Sequence, residues 1–278
     1  MALDPMTFDV ETTWAGPTEL DSALITPFFT YSTMYQGRYV TPALGPRIVE
    51  IARKNTDNQK YLELAAETGL SAVVGEASQI INSQYDADGN LWFTTGRFPG
   101  AGIVSASTIA VVGYVSPSGT IRHLELPNTG VENGVALGGL VLYITTGPAG
   151  DNNHTNATSH LYALEPSAEG NGIRVLCKEE YEAGDGIKGG GISRGSGSSP
   201  SLLGDEHVVI TDKANERINL LFFIQAKGST EDGVRGPVCK VPLFAVGASA
   251  NENTLDSQVT TTARRTASSS PIRTTLLQ

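Results

Sequence analysis

The chain has 278 residues, 40% of them hydrophobic, with 31 Gly and 14 Pro. That bounds it to one large domain or two small ones, and favours many turns and short elements over long helices. A formal charge of −10 sets nucleic acid and an anionic membrane surface aside as main partners, and no apolar stretch reaches the roughly 20 residues that cross a bilayer.

In chain order, the start MALDPMTFDVETTW shows neither the basic nor the apolar region of a signal peptide. Residues 37–42, GRYVTP, give a turn and a short β run, and RIVEIA follows Gly45-Pro46 as a second run. QKYLELAAETG, residues 59–69, is the one helix candidate, being rich in Leu, Ala, Glu and Lys. Residues 86–96, DADGNLWFTTG, gather Asp and Asn as calcium loops do. Counted from Asp86, however, the Gly falls at position 4 and Arg97 occupies position 12, where an EF-hand needs Gly at 6 and Glu at 12. The stretch therefore reads as a tight turn entering a buried strand.

Residues 113–126, GYVSPSGTIRHLEL, form a hairpin around Pro117-Ser118-Gly119. GGLVLYITTG at 138–147 and GDEHVVITD at 204–212 echo the earlier turn-strand-Thr pattern. Aligned on their threonines, the runs place Thr41, Thr94, Thr145 and Thr211 at spacings of 53, 51 and 66 residues. Such periods in an all-β chain point to a β-propeller of four-stranded blades, six-bladed in its complete form. The rival is a β-sandwich or two stacked β domains. About four blade signatures are visible, which implies either fewer blades or an incomplete, truncated member. The expected organisation is an N-terminal arm or partial blade over 1–36, the propeller domain over 37–254, and a disordered tail over 255–278 rich in Ser, Thr and Arg.

Candidate sites follow from the register. Twelve residues before Thr94, Thr145 and Thr211 stand Asn82, Asn133 and Ser199, while Phe29 holds that place before Thr41. The three polar residues read either as turn residues or as a ring of hydrogen-bonding groups facing a central channel. Asn153 and Asn156 both head glycosylation sequons, which leaves a secreted glycoprotein open. Cys177 and Cys239 are compatible with one disulfide or with two buried thiols. The Gly-rich stretch GDGIKGGGISRGSGSS, residues 184–199, lacks the Gly-Lys-Ser/Thr of a P-loop and reads as a mobile loop over the channel mouth. The four His residues show no paired metal spacing.

GVENGVALGGLVLYITTG at 130–147 and YDADGNLWFTT at 85–95 resemble strand motifs of the gluconolactonase and regucalcin family of calcium-dependent β-propellers, and of the related strictosidine-synthase-like propellers. The resemblance covers residues 76–225. It implies a small organic ligand at the central channel, a Ca²⁺ ion held by Glu, Asn and Asp from different blades, and hydrolysis of a lactone or ester. By this resemblance Asn133 matches the metal-binding Asn, and Glu76 stands in for the missing N-terminal acid. Asn82, Asn133 and Ser199 then contact substrate. The family's Asp-Gly pair is replaced by Ser199-Pro200, and its Glu-Gly-Pro survives only as Ala15-Gly16-Pro17. The alternatives are a non-catalytic propeller binding a protein or carbohydrate partner, and an inactive truncated product.

Overall fold

The computed structural model describes residues 2–4, 6–13, 30–43, 45–56, 59–75, 78–96, 109–131, 133–148, 158–188, 194–226, 237–251, 255–261 and 272–277. Among these the regular structure is all β, in antiparallel sheets, with no helix. The N-terminal hairpin pairs β1 (Ala2–Leu3) with β2 (Val10–Thr12). The first four-stranded sheet runs β3 (Thr33–Tyr35), β4 (Arg38–Ala43), β5 (Arg47–Thr56) and β6 (Gln59–Gly69) in sequence order. The second holds β7 (Gln79–Tyr85), β8 (Leu91–Gly96), β9 (Ile109–Val115) and β10 (Ile121–Pro127).

In the third sheet the first strand is split into β11 (Thr129–Gly130) and β12 (Ala136–Gly138). Both pair with β13 (Val141–Pro148), which is followed by β14 (Thr158–Pro166) and β15 (Ile173–Glu182). The fourth holds β16 (Ser201–Leu203), β17 (His207–Thr211), β18 (Asn219–Ile224) and β19 (Cys239–Pro242). A last hairpin pairs β20 (Asp256–Thr261) with β21 (Ile272–Leu277), inside the segment expected to be a disordered tail.

The helix expected over 59–69 is the strand β6. It pairs with β5 along its length, from Thr56↔Gln59 to Arg47↔Gly69. Good helix formers go into a strand here because the partner strand satisfies the backbone groups that face it, and that outweighs propensities worth a few tenths of a kcal/mol per residue. The alternation Leu62-Glu63-Leu64 is the strand signal within the segment. It is hard to read in the sequence because Ala65 is an extra residue: Ile51 pairs with Leu64 and Glu50 with Ala66, so the period of two slips at that point.

The chain forms two compact units: residues 1–101 with 111–125, and residues 102–110 with 126–278. In the first unit, Val40 and Ile48 of the first sheet pack on Ile80, Leu91, Phe93 and Val111 of the second. At the edge of that core Tyr35 stacks on Tyr85, ring centroids 4.0 Å apart. The Tyr85 hydroxyl donates to Glu50, which also accepts from Arg38 at 3.0 Å. Burial, then the Glu50 bond, pushes the Tyr85 phenol well above its ordinary range.

In the second unit, Tyr143, Leu161, Ala163 and Cys177 of the third sheet pack on Val208, Ile210, Leu221 and Phe223 of the fourth. The Tyr143 hydroxyl accepts from the Ala226 amide at 2.9 Å, and burial raises its pKa to about 12.

Candidate functional site

The threonine register predicted from sequence falls where strand order repeats. Thr41, Thr94, Thr145 and Thr211 lie on β4, β8, β13 and β17, the second strand of each four-stranded meander, and all four are buried. A buried hydroxyl needs a partner. In three sheets a polar side chain at or just before the first strand supplies it. Ser32 donates to the Thr41 hydroxyl at 2.7 Å, and the Asn82 amide donates to the Thr94 hydroxyl at 2.7 Å. Ser198 and Thr211 lie 3.1 Å apart, hydroxyl to hydroxyl, and the Thr211 amide also donates to Ser198 at 2.9 Å. The repeat thus carries a latch between its first and second strands. The twelve-residue count finds its member at Asn82. In the fourth sheet the count points to Ser199, one residue past the Ser198 that makes the contact, and in the first it passes over Ser32.

Asn82 is 2% exposed on β7, where the register shifts between Ile80 and Asn82, and its Cα partner is Thr94. Tyr31 runs parallel beside it, with its amide donating to the Ile81 carbonyl. Asn133 lies in the gap between β11 and β12, buried, with its amide donating to the Ser196 carbonyl at 2.6 Å. Ser199 is half-buried, and its hydroxyl accepts from the Gly134 amide at 2.9 Å. The structure therefore brings Asn133 and Ser199 together in the second unit, whereas Asn82 belongs to the first. Glu76, Asn153 and Asn156 lie outside the described residues.

Residues 194–200, the end of the Gly-rich stretch, are a buried strap, which corrects the mobile-loop expectation for that part. Arg194, Ser196 and Ser198 are 2%, 3% and 1% exposed. The strap is clamped on several sides. The Tyr181 hydroxyl on β15 accepts from the Ser196 amide at 2.8 Å and donates to the Thr146 carbonyl at 3.0 Å. A Cβ on Gly147 would stand 1.5 Å from the Arg194 carbonyl oxygen, and one on Gly197 would stand 1.7 Å from that of Asn251. Gly is required at both positions because backbone passes against backbone. Sequence reasoning missed Ser196, Ser198, Tyr181 and Gly147, and the small residue interrupting the β13 run at Gly147 was the available signal.

Two buried carboxylates invite a metal reading. Asp86 accepts on Oδ1 from the amides of Asp88 and Asn90, at 3.0 and 2.9 Å. On Oδ2 it accepts from the Asn90 side chain and the Trp92 indole, at 2.8 and 2.9 Å. Gly89 completes the turn with φ 79°. The same five-residue turn recurs at Ser116–Thr120, where a serine hydroxyl replaces the carboxylate. Asp212 likewise accepts from the Asn219 amide at 2.7 Å and side chain at 2.8 Å, with Lys240 at 3.5 Å.

Both carboxylates are thus engaged by N–H donors as turn plugs. Among the described residues no group of three His, Cys, Asp or Glu converges as cation ligands. A Ca²⁺ ion takes six to eight oxygens, carboxylates among them, and Glu76, the acid expected to join Asn133, lies outside the described residues. Cys177 is buried on β15 and Cys239 exposed on β19, and no disulfide joins them.

No protein-family model matches the chain, and no curated protein matches it.

Proposed function

We propose that the chain is an array of propeller-type blades acting as a non-catalytic module that binds a protein or carbohydrate partner. Four meanders of four strands, each with its buried threonine on the second strand, support the blade reading. So does the adjacency of first strands within each unit, β3 beside β7 and β12 beside β16. The observation that carries the non-catalytic reading is the use made of the candidate ring. Asn82, Asn133 and Ser199 each bond a neighbouring protein group, at 2.7, 2.6 and 2.9 Å, and so hold the fold together. A substrate-binding amide must instead present its polar atoms to a ligand.

The second reading is a gluconolactonase-like hydrolase with Ca²⁺ at Asn133 and Glu76, and the strand motifs favour it. Melting temperature with and without millimolar Ca²⁺, together with a panel of lactones and esters, separates the two. The expected result is no Ca²⁺-dependent shift and no turnover above buffer. A Ca²⁺-stabilised protein whose lactone turnover disappears in Asn133→Ala would overturn the non-catalytic reading. A glycan array then distinguishes a carbohydrate partner from a protein.

A further inference from the structure

The sequence holds two Asn-Gly pairs, Asn133-Gly134 and Asn171-Gly172. In such a pair the glycine nitrogen is a nucleophile for the asparagine side-chain carbonyl, because no Cβ on the second residue obstructs the approach. The two pairs sit in opposite settings. Asn133 and Gly134 are buried, and the Asn133 amide donates to the Ser196 carbonyl at 2.6 Å. Asn171 is exposed, in the turn that joins β14 to β15.

That turn is closed by its backbone. The Ser167 amide donates to the Gly172 carbonyl at 3.0 Å, and the Gly170 amide to the Ser167 carbonyl at 2.8 Å. At its centre the Ser167 hydroxyl accepts from the amides of Asn171 and Gly172, both at 3.1 Å. So far it is a turn plug like Ser116, which accepts from the Thr120 amide. The difference lies in what else the hydroxyl meets. Ser116 lies 2.8 Å from the Ser118 hydroxyl, whereas Ser167 donates to Oδ1 of Asn171 at 2.8 Å. Glu169 fixes that orientation. Its carboxylate accepts from Nδ2 of Asn171 at 2.7 Å and has no proton to give, so Oδ1 is the atom turned to the hydroxyl.

We infer that Asn171 is a site of self-catalysed deamidation, promoted by Ser167. One hydroxyl gathers both reacting groups, the N–H of the nucleophile and the oxygen on which negative charge develops. The Gly172 nitrogen gives its proton to hydroxide and bonds to the side-chain carbon of Asn171. The oxyanion formed at Oδ1 is held by the Ser167 O–H. It collapses as the bond from carbon to Nδ2 breaks, and Nδ2 takes a proton from water and leaves as ammonia. The five-membered imide then adds water at either carbonyl, giving Asp or isoaspartate. The product carboxylate faces Glu169, so an attraction becomes a repulsion. Asn133 escapes because burial keeps hydroxide and water from it.

Peptide mapping by mass spectrometry tests this on the full chain, incubated for days at mildly alkaline pH, folded or in guanidinium chloride. In the folded chain residue 171 should convert several-fold faster than in denaturant, and Asn133 should convert more slowly folded than denatured. Enzymatic methylation of isoaspartate then confirms the imide route at residue 171. Ser167→Ala should slow the folded rate about tenfold, less than the ~10²–10³ of a buried oxyanion donor because water screens this turn. Gly172→Ala should also slow it with the fold intact, since its Cβ meets no atom within 4 Å. Slower conversion at residue 171 in the folded chain than in denaturant overturns the inference, as does an unchanged folded rate in Ser167→Ala. Should that variant disturb the turn, the wild-type comparison of folded and denatured chain still decides.

Discussion

Asn82 of the first unit and Asn133 of the second each stand twelve residues before a buried second-strand threonine, yet they bond in different directions. Asn82 closes a latch inside its own sheet, onto Thr94. Asn133 reaches out of the third sheet to the Ser196 carbonyl of the strap that leads into the fourth. The difference has a structural cause. β7 runs through Asn82 with a register shift, whereas the first strand of the third sheet breaks around Asn133 and frees its side chain to meet another element. Equal register positions in a repeat therefore share a place on the sheet but need not share a role.

The largest test of that contrast is Gly147→Ala. Its Cβ would collide with the Arg194 carbonyl, so the strap must lift from β13. The expected cost is about 3 kcal/mol or more in urea unfolding. Unchanged stability would mean that the strap is not packed as described. Tyr181→Phe is gentler, since it removes one hydroxyl and leaves the ring in place. The Ser196 amide and the Thr146 carbonyl both lose a partner, which should cost about 2 kcal/mol.

Asn133→Ala and Asn82→Ala should each cost about 1–2 kcal/mol. They part company in hydrogen exchange. Asn133→Ala should speed exchange at residues 194–200, and Asn82→Ala should leave that stretch as it was. Equal effects on the strap would erase the distinction between the two asparagines.

Much of the repeat was legible because its signals are local. The turn at Asp86–Asn90, the runs at 91–96 and 141–148 and their threonines all declare themselves within ten residues. What failed depended on distant partners. Residues 59–69 look helical until β5 is placed beside them. The stretch ending RGSGSS looks like a loose loop, because composition cannot distinguish glycine kept for freedom from glycine kept for close approach. Ser198 rather than Ser199 bonds Thr211, a one-residue offset that a count along the chain cannot resolve when a strand start is irregular.

The smallest expected effect uses pH to tell the two units apart. His160 lies on β14 of the second unit, and its carbonyl accepts from the Thr146 hydroxyl at 3.2 Å, next to the strap. Burial, then the nearby Lys178 charge, lowers its pKa below the ordinary 6.5, while Glu180 at 3.9 Å opposes the shift. The unfolded chain therefore binds this proton more readily than the folded one, so acid favours unfolding. Stability from this group is fully present above pH 6.5 and is lost as the pH falls through 6.5 towards the lower folded-state value. Only the second unit should feel it. Exchange protection at residues 194–200 should drop on acidification from neutral, with no matching change at 79–85 from this cause, and His160→Gln should flatten the response. The same pH slope in wild type and His160→Gln would remove His160 from the account and leave the carboxylates of the second unit as its source.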